Sequence, residues 1–181
     1  MFYQVIKVGK ENIGLVWNDN GKKPLIGKIY LPDPNRSMAD KIAQDFPDII
    51  KTPRRIPDGL DELIAGLYQG KALKFDLSCL NWSGLSDFSV KVLRQAFKIP
   101  RGKVLTYSGL ASKAGSPRAA RAAGSVMANN PFPIVIPCHR IIRSGGELGQ
   151  FGGGVNMKKQ LLEKEGVTVD MKGKVPLRQI D

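Results

Sequence analysis

Residues 116–142 read SPRAARAAGSVMANNPFPIVIPCHRII, a segment of small residues followed by an apolar run that ends in Pro-Cys-His-Arg. Serine at a cap position and proline at the first helical position predict a helix over 117–129. The apolar run predicts a buried strand that breaks at Pro137, because proline cannot donate to a β-ladder. The break would leave Cys138 at the rim of a pocket, beside His139, the sole histidine among 181 residues.

Cys138 and His139 form a candidate nucleophile and base. A free thiol has a pKa of about 8.5 and reacts as the thiolate, so a reactive cysteine needs a neighbour that takes or holds its proton. The alternative for Cys138 is a small buried hydrophobe, which is the commoner role of a free cysteine. The second cysteine, Cys79, follows an apolar run with no base in sequence reach, and a structural role is favoured there.

The composition predicts a cytoplasmic chain with free thiols. The chain has two cysteines, and its first residues, MFYQVIKVGKENIG, lack the apolar run of a signal peptide. No segment approaches the roughly 18 apolar residues of a membrane span, so no membrane partner is expected. Two cysteines and one histidine are too few for the usual four zinc ligands. We therefore expect no metal and no cofactor.

The positive charge is concentrated in the second half of the chain. Residues 1–88 contain 12 Lys and Arg against 11 Asp and Glu, whereas residues 89–181 contain 16 against 5, so the second half carries +11 of the net +12. A field of one sign attracts polyanions, which predicts binding to nucleic acid or to an anionic membrane. The alternative is an ordinary solvated basic surface.

The first half predicts a supporting α/β domain over 1–80. Short β-rich runs separated by turn residues are typical of an antiparallel meander. The predicted elements are strands at 2–8, 13–17, 25–31 and 73–77, a helix between Ser37 and Pro47, and a helix between Asp58 and Gly70 that Asp58 caps. This half has no histidine and its carboxylates are scattered, so it predicts no catalytic site.

After a linker over 81–87, residues 88–181 predict a second, mainly helical domain. Ser86 opens a helix that ends before Pro100, and Thr106 caps a short helix over 107–114. A tight turn separates that helix from the predicted helix at 117–129. Two short helices joined in this way are typical of a helix-turn-helix.

The helix at 117–129 presents Arg118, Arg121 and Ser125 on one face, at i, i+3 and i+7. A helix that reads base sequence carries several long polar side chains, but here the neighbours are alanine, glycine and serine. Small residues let a helix backbone approach a groove and its phosphates closely. The helix therefore predicts DNA binding with little sequence preference.

The segment after Ile142 predicts a hairpin turn and a glycine-rich loop. The glycines at 152–154 are not a phosphate loop, because no Gly-Lys-Ser/Thr follows them, and a wing or pocket lid is predicted instead. Asn156 is predicted to cap a final helix that Gly166 ends. Glu165 lies in its last turn, where the helix dipole disfavours a carboxylate, so it is either a surface accident or a group that orients His139.

From about residue 88 to residue 166 the chain resembles the O6-alkylguanine-DNA alkyltransferases, also called methylated-DNA–protein-cysteine methyltransferases. The motifs IPRGKVLTYSGLA, SPRAARAAGSVMANNPFPIVIPCHRII, the glycine loop and LLEKEG follow the family's order and spacing. The resemblance implies an α+β protein of two domains. The first would be a ribonuclease-H-like α/β domain, and the second a winged helix-turn-helix domain that carries the active site.

The activity implied by the resemblance is DNA repair by direct reversal of damage. A methyl or other alkyl group on O6 of guanine, or on O4 of thymine, would move irreversibly to Cys138 after the base flips out of the duplex. The protein would be a single-turnover methyltransferase, since a thioether is a poor leaving group. It would act as a monomer, in the cytoplasm and on the nucleoid, on double-stranded DNA bound through the minor groove.

The resemblance also implies roles for individual residues. In catalysis, Cys138 would accept the alkyl group, His139 would activate it through a water, Glu165 would hold His139, Asn130 would brace the turn, and Tyr107 would hydrogen-bond the leaving guanine. At the DNA, Arg121 would enter the base stack, with Arg118, Ser116, Ser125, Ala122 and Tyr107 also in contact. The base pocket would comprise Met127, Pro133, Ile141, Phe151, Gly152 and Gly153.

Two features depart from the family pattern. Phe151 and Gly152 stand where members commonly have tyrosine and serine, so loop contacts to O6 of guanine must come from backbone N–H groups. The zinc site of some members is absent from the first half. Cys138 itself argues against the non-catalytic alkyltransferase-like proteins, which lack it.

Two other classes of protein explain part of the sequence. A winged-helix regulator would use the basic helix pair but leave Pro-Cys-His-Arg without a role, and its recognition helix would be unusually bare. A cysteine hydrolase would use Cys138, His139 and Glu165 but has no need of the basic excess.

Overall fold

The computed structural model describes residues 1–19, 21, 23–51 and 55–180, which form two compact units. The first unit comprises residues 1–83 together with 131–133, and the second comprises 84–130 and the residues from 134 onward. Both units combine helices with a small sheet, so the predicted α+β class is confirmed.

A four-stranded sheet with the order β3-β2-β1-β4 organises the first unit. Its strands are β1 (Phe2–Val8), β2 (Glu11–Asp19), β3 (Pro24–Tyr30) and β4 (Ile50–Lys51). The first three form the predicted antiparallel meander, and β4 adds in parallel to β1. The run Gly-Leu-Val-Trp makes the middle of β2 fully buried, with Leu15 and Trp17 at 0% exposure.

Two helices accompany this sheet, α1 (Met38–Asp45) and α2 (Leu60–Tyr68). The predicted start of α1 is confirmed, because the Ser37 side chain accepts a hydrogen bond from the Asp40 N–H. The predicted cap of α2 is wrong. Gly59 is the N-cap residue, Asp58 lies before it with φ of 62°, and no side chain caps the helix.

The predicted strand at 73–77 is also wrong. Residues 71–76 have no regular structure, and a 3₁₀ turn over Leu77–Cys79 follows, with the Asp76 side chain accepting from the Ser78 N–H. Pairing with the sheet comes later in the chain, where Leu80 forms a parallel bridge with Ile26 of β3 and the Asn81 N–H donates to the Ile26 carbonyl at 2.8 Å. Cys79 is buried.

The second unit contains four helices among its described residues, α3 (Asp87–Phe97), α4 (Tyr107–Lys113), α5 (Ala120–Ala128) and α6 (Val155–Lys164). A short parallel pair, β5 (Leu105–Thr106) and β6 (Ile141–Ile142), joins them. The predicted caps of α3 and α4 are confirmed: Ser86 accepts from the Ser89 N–H and Thr106 accepts from the Gly109 N–H.

Two predicted helix starts are wrong. The helix predicted over 117–129 begins only at Ala120, because the Ala119 N–H donates to the Ser116 carbonyl and closes a turn that contains Pro117. The last helix begins at Val155, with Gly154 at its N-cap, so Asn156 lies inside it and caps nothing.

The C-terminal segment packs against the turn that follows β6. Val175 N–H donates to the Gly146 carbonyl at 2.9 Å, and Lys174 pairs with Glu147 at 2.8 Å. Val175 is 3% exposed and joins a buried cluster with Val104, Ile142, Leu148, Leu162 and Val167. This packing fixes the turn over 143–147. Within the described ranges, no helix has the length and apolar character needed to cross a bilayer.

Candidate active site

The cysteine lies on a tight turn and not at the end of a strand. Pro137, with φ −78° and ψ 66°, is the centre of an inverse γ-turn in which the Cys138 N–H donates to the Ile136 carbonyl at 2.8 Å. Asn130 Nδ2 donates to the same carbonyl at 2.9 Å. The strand predicted over this run is wrong, since Ile134 has φ of 75° and residues 134 and 135 form a turn, although the run is buried as expected.

His139 follows on a 3₁₀ turn over Cys138–Arg140, with 2% of its surface exposed. Its Nε2 lies 3.0 Å from Glu165 Oε1, so the carboxylate accepts the Nε2 proton. The buried Nδ1 has no hydrogen-bond partner within the residues that the structure describes. Because the proton is on Nε2, Nδ1 carries a lone pair and is able to accept a proton.

Glu165 is the C-cap residue of α6, and its carboxylate accepts hydrogen bonds from both His139 and Arg140. Arg140 donates from Nε to Oε2 and from Nη2 to Oε1, both at 2.7 Å, and from Nη1 to the Ile99 carbonyl at 2.6 Å. Burial opposes ionisation of Glu165, but the hydrogen bonds from Arg140 and His139 outweigh it and hold the carboxyl pKa at about 2. Sequence reasoning gave Arg140 no role.

The resting protonation states follow from burial. Burial raises the pKa of the Cys138 thiol, and the Asn130 side chain and the Lys158 charge offset part of that rise. Burial lowers the pKa of His139, and Glu165 opposes this. Both groups are therefore neutral at rest. The geometry favours removal of the thiol proton during the reaction over a stored thiolate.

Lys158 is a second residue that sequence reasoning missed. It lies on α6 with 0% exposure, and its Nζ donates to the Ile141 carbonyl at 2.6 Å. Burial lowers its pKa to about 8, and the charge of Cys138 opposes that shift. The sequence spacing could have indicated its burial, because Lys158 lies on the same apolar face of the helix as Leu161 and Leu162. A lysine is unusual at such a position.

A cavity of about 410 Å³ opens beside the thiol. Its lining residues are Tyr107, Gly124, Met127, Ala128, Cys138, Arg143, Gly149, Gln150, Phe151 and Gly152. The predicted pocket residues Met127, Phe151 and Gly152 are thus brought together with Cys138 and Tyr107. Three others are not among the lining: Pro133 groups with the first unit, Ile141 is buried in β6, and Gly153 lies against Met157.

The residues predicted to contact DNA lie on α5 and the turn before it. Arg121, Ala122 and Ser125 are exposed on α5, whereas Ser116 and Arg118 precede the helix. Tyr107, at the start of α4, is half-buried and lines the cavity. Within the described ranges, no cluster of three or more His, Cys, Asp or Glu has the arrangement of a metal site.

Comparison with known proteins places these features in a family. Residues 87–167 match the model of the 6-O-methylguanine DNA methyltransferase DNA-binding domain. The methylated-DNA–protein-cysteine methyltransferase of Methanothermobacter thermautotrophicus is 40% identical over 164 residues, covering 88% of this chain and 82% of that protein. The Rattus norvegicus enzyme of the same name is 35% identical over 157 residues, covering 82% and 72%.

Solved structures agree with the sequence relatives. The crystal structure of Mycobacterium tuberculosis OGT in complex with DNA aligns with a TM-score of 0.72 at 27% identity, covering 91% of this chain and 92% of that one. The family model, the sequence relatives and this structure therefore define a class of protein that binds DNA and transfers an alkyl group to a cysteine. The chain belongs to the family of methylated-DNA–protein-cysteine methyltransferases, enzymes that repair DNA by transferring an alkyl group to a cysteine.

Proposed function

We propose that Cys138 is the acceptor in a single-turnover repair reaction on O6-alkylguanine, and on O4-alkylthymine, in double-stranded DNA. The observation that carries this proposal is the wall of the cavity, where Cys138 stands with Tyr107, directly before a histidine whose Nδ1 is free to accept a proton. Cys79, by contrast, lines no part of that cavity.

The reaction is a displacement at the alkyl carbon. The thiol proton passes through a water molecule to His139 Nδ1 as the sulfur forms its bond to carbon. The bond from that carbon to O6 breaks, its electron pair stays on guanine, and Tyr107 donates a proton to the departing base. Glu165 keeps the Nε2 proton in place and stabilises the imidazolium that results.

The base must leave the duplex to reach a thiol with 8% exposure. Arg121 enters the vacated position in the stack, while α5 lies in the minor groove with Ala122 and Ser125 towards the backbone. Extruding a base costs a few kcal/mol, and an inserted side chain recovers part of that cost. The short side chains of α5 support close approach with little sequence preference.

We also propose the finer architecture that the family implies. The order β3-β2-β1-β4, with an antiparallel meander and a parallel edge strand, supports a ribonuclease-H-like first domain over 1–80. The α4–α5 pair followed by the β6 turn supports a winged helix-turn-helix in 88–181, after the linker at 81–87. We further propose that the protein acts as a monomer, in the cytoplasm and on the nucleoid.

The direct test is to mix the protein with duplex DNA containing O6-methylguanine and to measure the intact mass. We expect a gain of one methylene that maps to the Cys138 peptide and is absent in Cys138→Ser. Cys79→Ser is the matched control, because it removes the other buried thiol and should keep full transfer. Transfer that persists in Cys138→Ser, or that is lost in a folded Cys79→Ser, would contradict the assignment.

A further inference from the structure

Arg143 is a cavity-lining residue for which the proposed reaction has no role so far. It follows β6 directly and begins the turn over 143–147, where its N–H donates to the Glu147 carbonyl at 2.9 Å and its carbonyl accepts from Gly146 at 3.0 Å. The C-terminal segment holds the far end of that turn, at Gly146 and Glu147. The backbone therefore aims the Arg143 side chain at the cavity from a fixed point.

The charge of Arg143 is not neutralised by an ion pair. Glu147, in the same turn, is paired with Lys174 at 2.8 Å, and the Arg143 charge adds only to the lowering of the Glu147 pKa, after the Lys174 hydrogen bond. No aspartate or glutamate is among the lining residues of the cavity. Across the described ranges, no hydrogen bond or salt bridge joins the Arg143 guanidinium to another protein group. The cavity thus contains an arginine with free donors and no carboxylate.

The side chains of Arg143 and Tyr107 both border Gly149 and both line the cavity. A Cβ placed on Gly149, which has φ of 71°, would be 3.7 Å from Arg143 Nε and 3.7 Å from Tyr107 Oη, so both groups face the same glycine. The ionisable groups acting on Tyr107 are Cys138 and Arg143. Burial, most strongly, and a thiolate at Cys138 raise the pKa of Tyr107, whereas Arg143 lowers it.

We propose that Arg143 is a positioning residue for leaving-group departure, whose guanidinium stabilises the negative charge that Tyr107 acquires when it gives its proton to the departing guanine. This inference rests on the proposed function. The protons balance in this reaction. The thiol proton moves to His139, and the Tyr107 proton moves to guanine. The imidazolium and the tyrosinate return to their neutral forms by exchange with solvent once the base has left.

The test separates departure of guanine from reactivity of the thiol. Full-length protein reacts with free O6-benzylguanine, whose leaving group needs a proton, and with iodoacetamide, whose iodide needs none. We expect Arg143→Gln to slow benzyl transfer about tenfold, which is an ordinary effect for the loss of one charge acting at short range near a protein surface. The rate of carbamidomethylation of Cys138 should be unchanged. Arg143→Lys should recover most of the benzyl rate, and Lys172→Gln, the control for net charge, should change neither rate.

A double-mutant cycle tests whether Arg143 acts through Tyr107. In a Tyr107→Phe background, which has no proton to give, Arg143→Gln should change the benzyl rate less than about twofold. The proposal is overturned if Arg143→Gln slows both reagents equally, or if the full loss persists beside Tyr107→Phe. It is also overturned if the loss is confined to DNA substrates, which would identify a phosphate contact. Absence of any alkyl group on wild-type Cys138 would instead refute the proposed function.

Discussion

At the scale of single residues, one carboxylate determines the chemistry of the histidine. Glu165 accepts the Nε2 proton of His139 and is neutralised by two bonds from Arg140. An unpaired buried carboxylate would draw a proton onto the imidazole and remove the lone pair at Nδ1. Because burial disfavours the imidazolium and Arg140 satisfies the carboxylate, His139 stays neutral and keeps the lone pair that the proposed reaction needs.

The same carboxylate links stability to pH. The Glu165 pKa is about 2 in the folded chain against an ordinary 4.5, so between these values the unfolded chain binds a proton that the folded chain does not. The stabilisation is fully present above pH 4.5 and is lost as the pH falls towards 2. We expect a loss of roughly 3 kcal/mol in the free energy of unfolding over this range.

Glu165→Gln should remove that acid-dependent part and lower the stability at pH 7, because Arg140 loses its charged partner. Urea unfolding followed by circular dichroism at pH 7 and pH 3 measures both effects. Glu163→Gln, a change of the same charge at a side chain with 46% exposure, is the control. An equal acid dependence in wild type and Glu165→Gln would contradict the stated role of the pair.

At the scale of elements, α5 contains a glycine in its middle that faces the cavity. A Cβ at Gly124 would lie 3.7 Å from Tyr107 Cδ1 and 3.8 Å from Cε1, which is ordinary van der Waals contact. Glycine inside a helix costs about 0.5–1 kcal/mol relative to alanine. The structure therefore has room for an alanine that the helix would favour.

We expect Gly124→Ala to raise the free energy of unfolding by about 0.5–1 kcal/mol and to retain transfer from O6-methylguanine. Chemical denaturation measures the first effect, and the intact-mass assay measures the second. Ala122→Gly, at an exposed position of the same helix, should give a loss of similar size. A destabilised Gly124→Ala would mean that α5 and Tyr107 pack too closely for a methyl group.

The elements also show which parts of the fold are local enough to predict. The caps at Ser37, Ser86 and Thr106 were predictable because a side chain there bonds an N–H three residues later. Pro117 was assigned to a helix but lies in a turn, since serine and proline open either structure. The prediction of a strand at 73–77 was wrong because strand pairing at a sheet edge depends on residues that are distant in sequence. Local β-propensity carries no information about those residues.

In the active site, too, some features could be predicted from the sequence and others could not. The link from His139 to Glu165 spans 26 residues. The helix-dipole argument gave it only as one of two alternatives for Glu165, and the resemblance to a family favoured it. Arg140 and Lys158 were missed because charged side chains are expected at the surface, and both are held instead by buried carbonyl groups. The exposed face of α5 could be predicted from the sequence, because Arg121, Ala122 and Ser125 follow helical spacing. Close approach of this face to DNA stays a prediction.

At the scale of the whole molecule, the excess positive charge and the residues of the candidate active site lie in the same half of the sequence. Residues 89–181 carry +11 of the net +12 and also contain the cavity-lining residues. Arg140 and Lys158 are buried or paired within that half, so they do not contribute to the outer surface in the way that Arg118 and Arg121 do. The exposed cations make phosphate the natural partner of this half.

This distribution separates DNA binding from alkyl transfer in an Arg121→Ala variant. Arg121 is exposed on α5 and is not among the residues that line the cavity, so its loss should leave reaction with free O6-benzylguanine unchanged. On duplex DNA, the variant lacks the side chain proposed to fill the vacated position in the stack, and we expect repair of O6-methylguanine to slow at least about tenfold. Single-turnover rates on both substrates, measured at one fixed salt concentration, give the ratio directly.

Lys172→Ala, which removes an exposed charge from the C-terminal segment, is the control for this prediction. The loss of one positive charge there should weaken duplex binding slightly and should not affect the transfer step. If Arg121 only contacted phosphate, raising the DNA concentration to saturation would restore the wild-type rate. If it occupies the vacated stack, saturation leaves the slow rate in place, because the cost falls on base extrusion after binding. Equal losses on duplex and free base would exclude both roles and place Arg121 in the reaction itself.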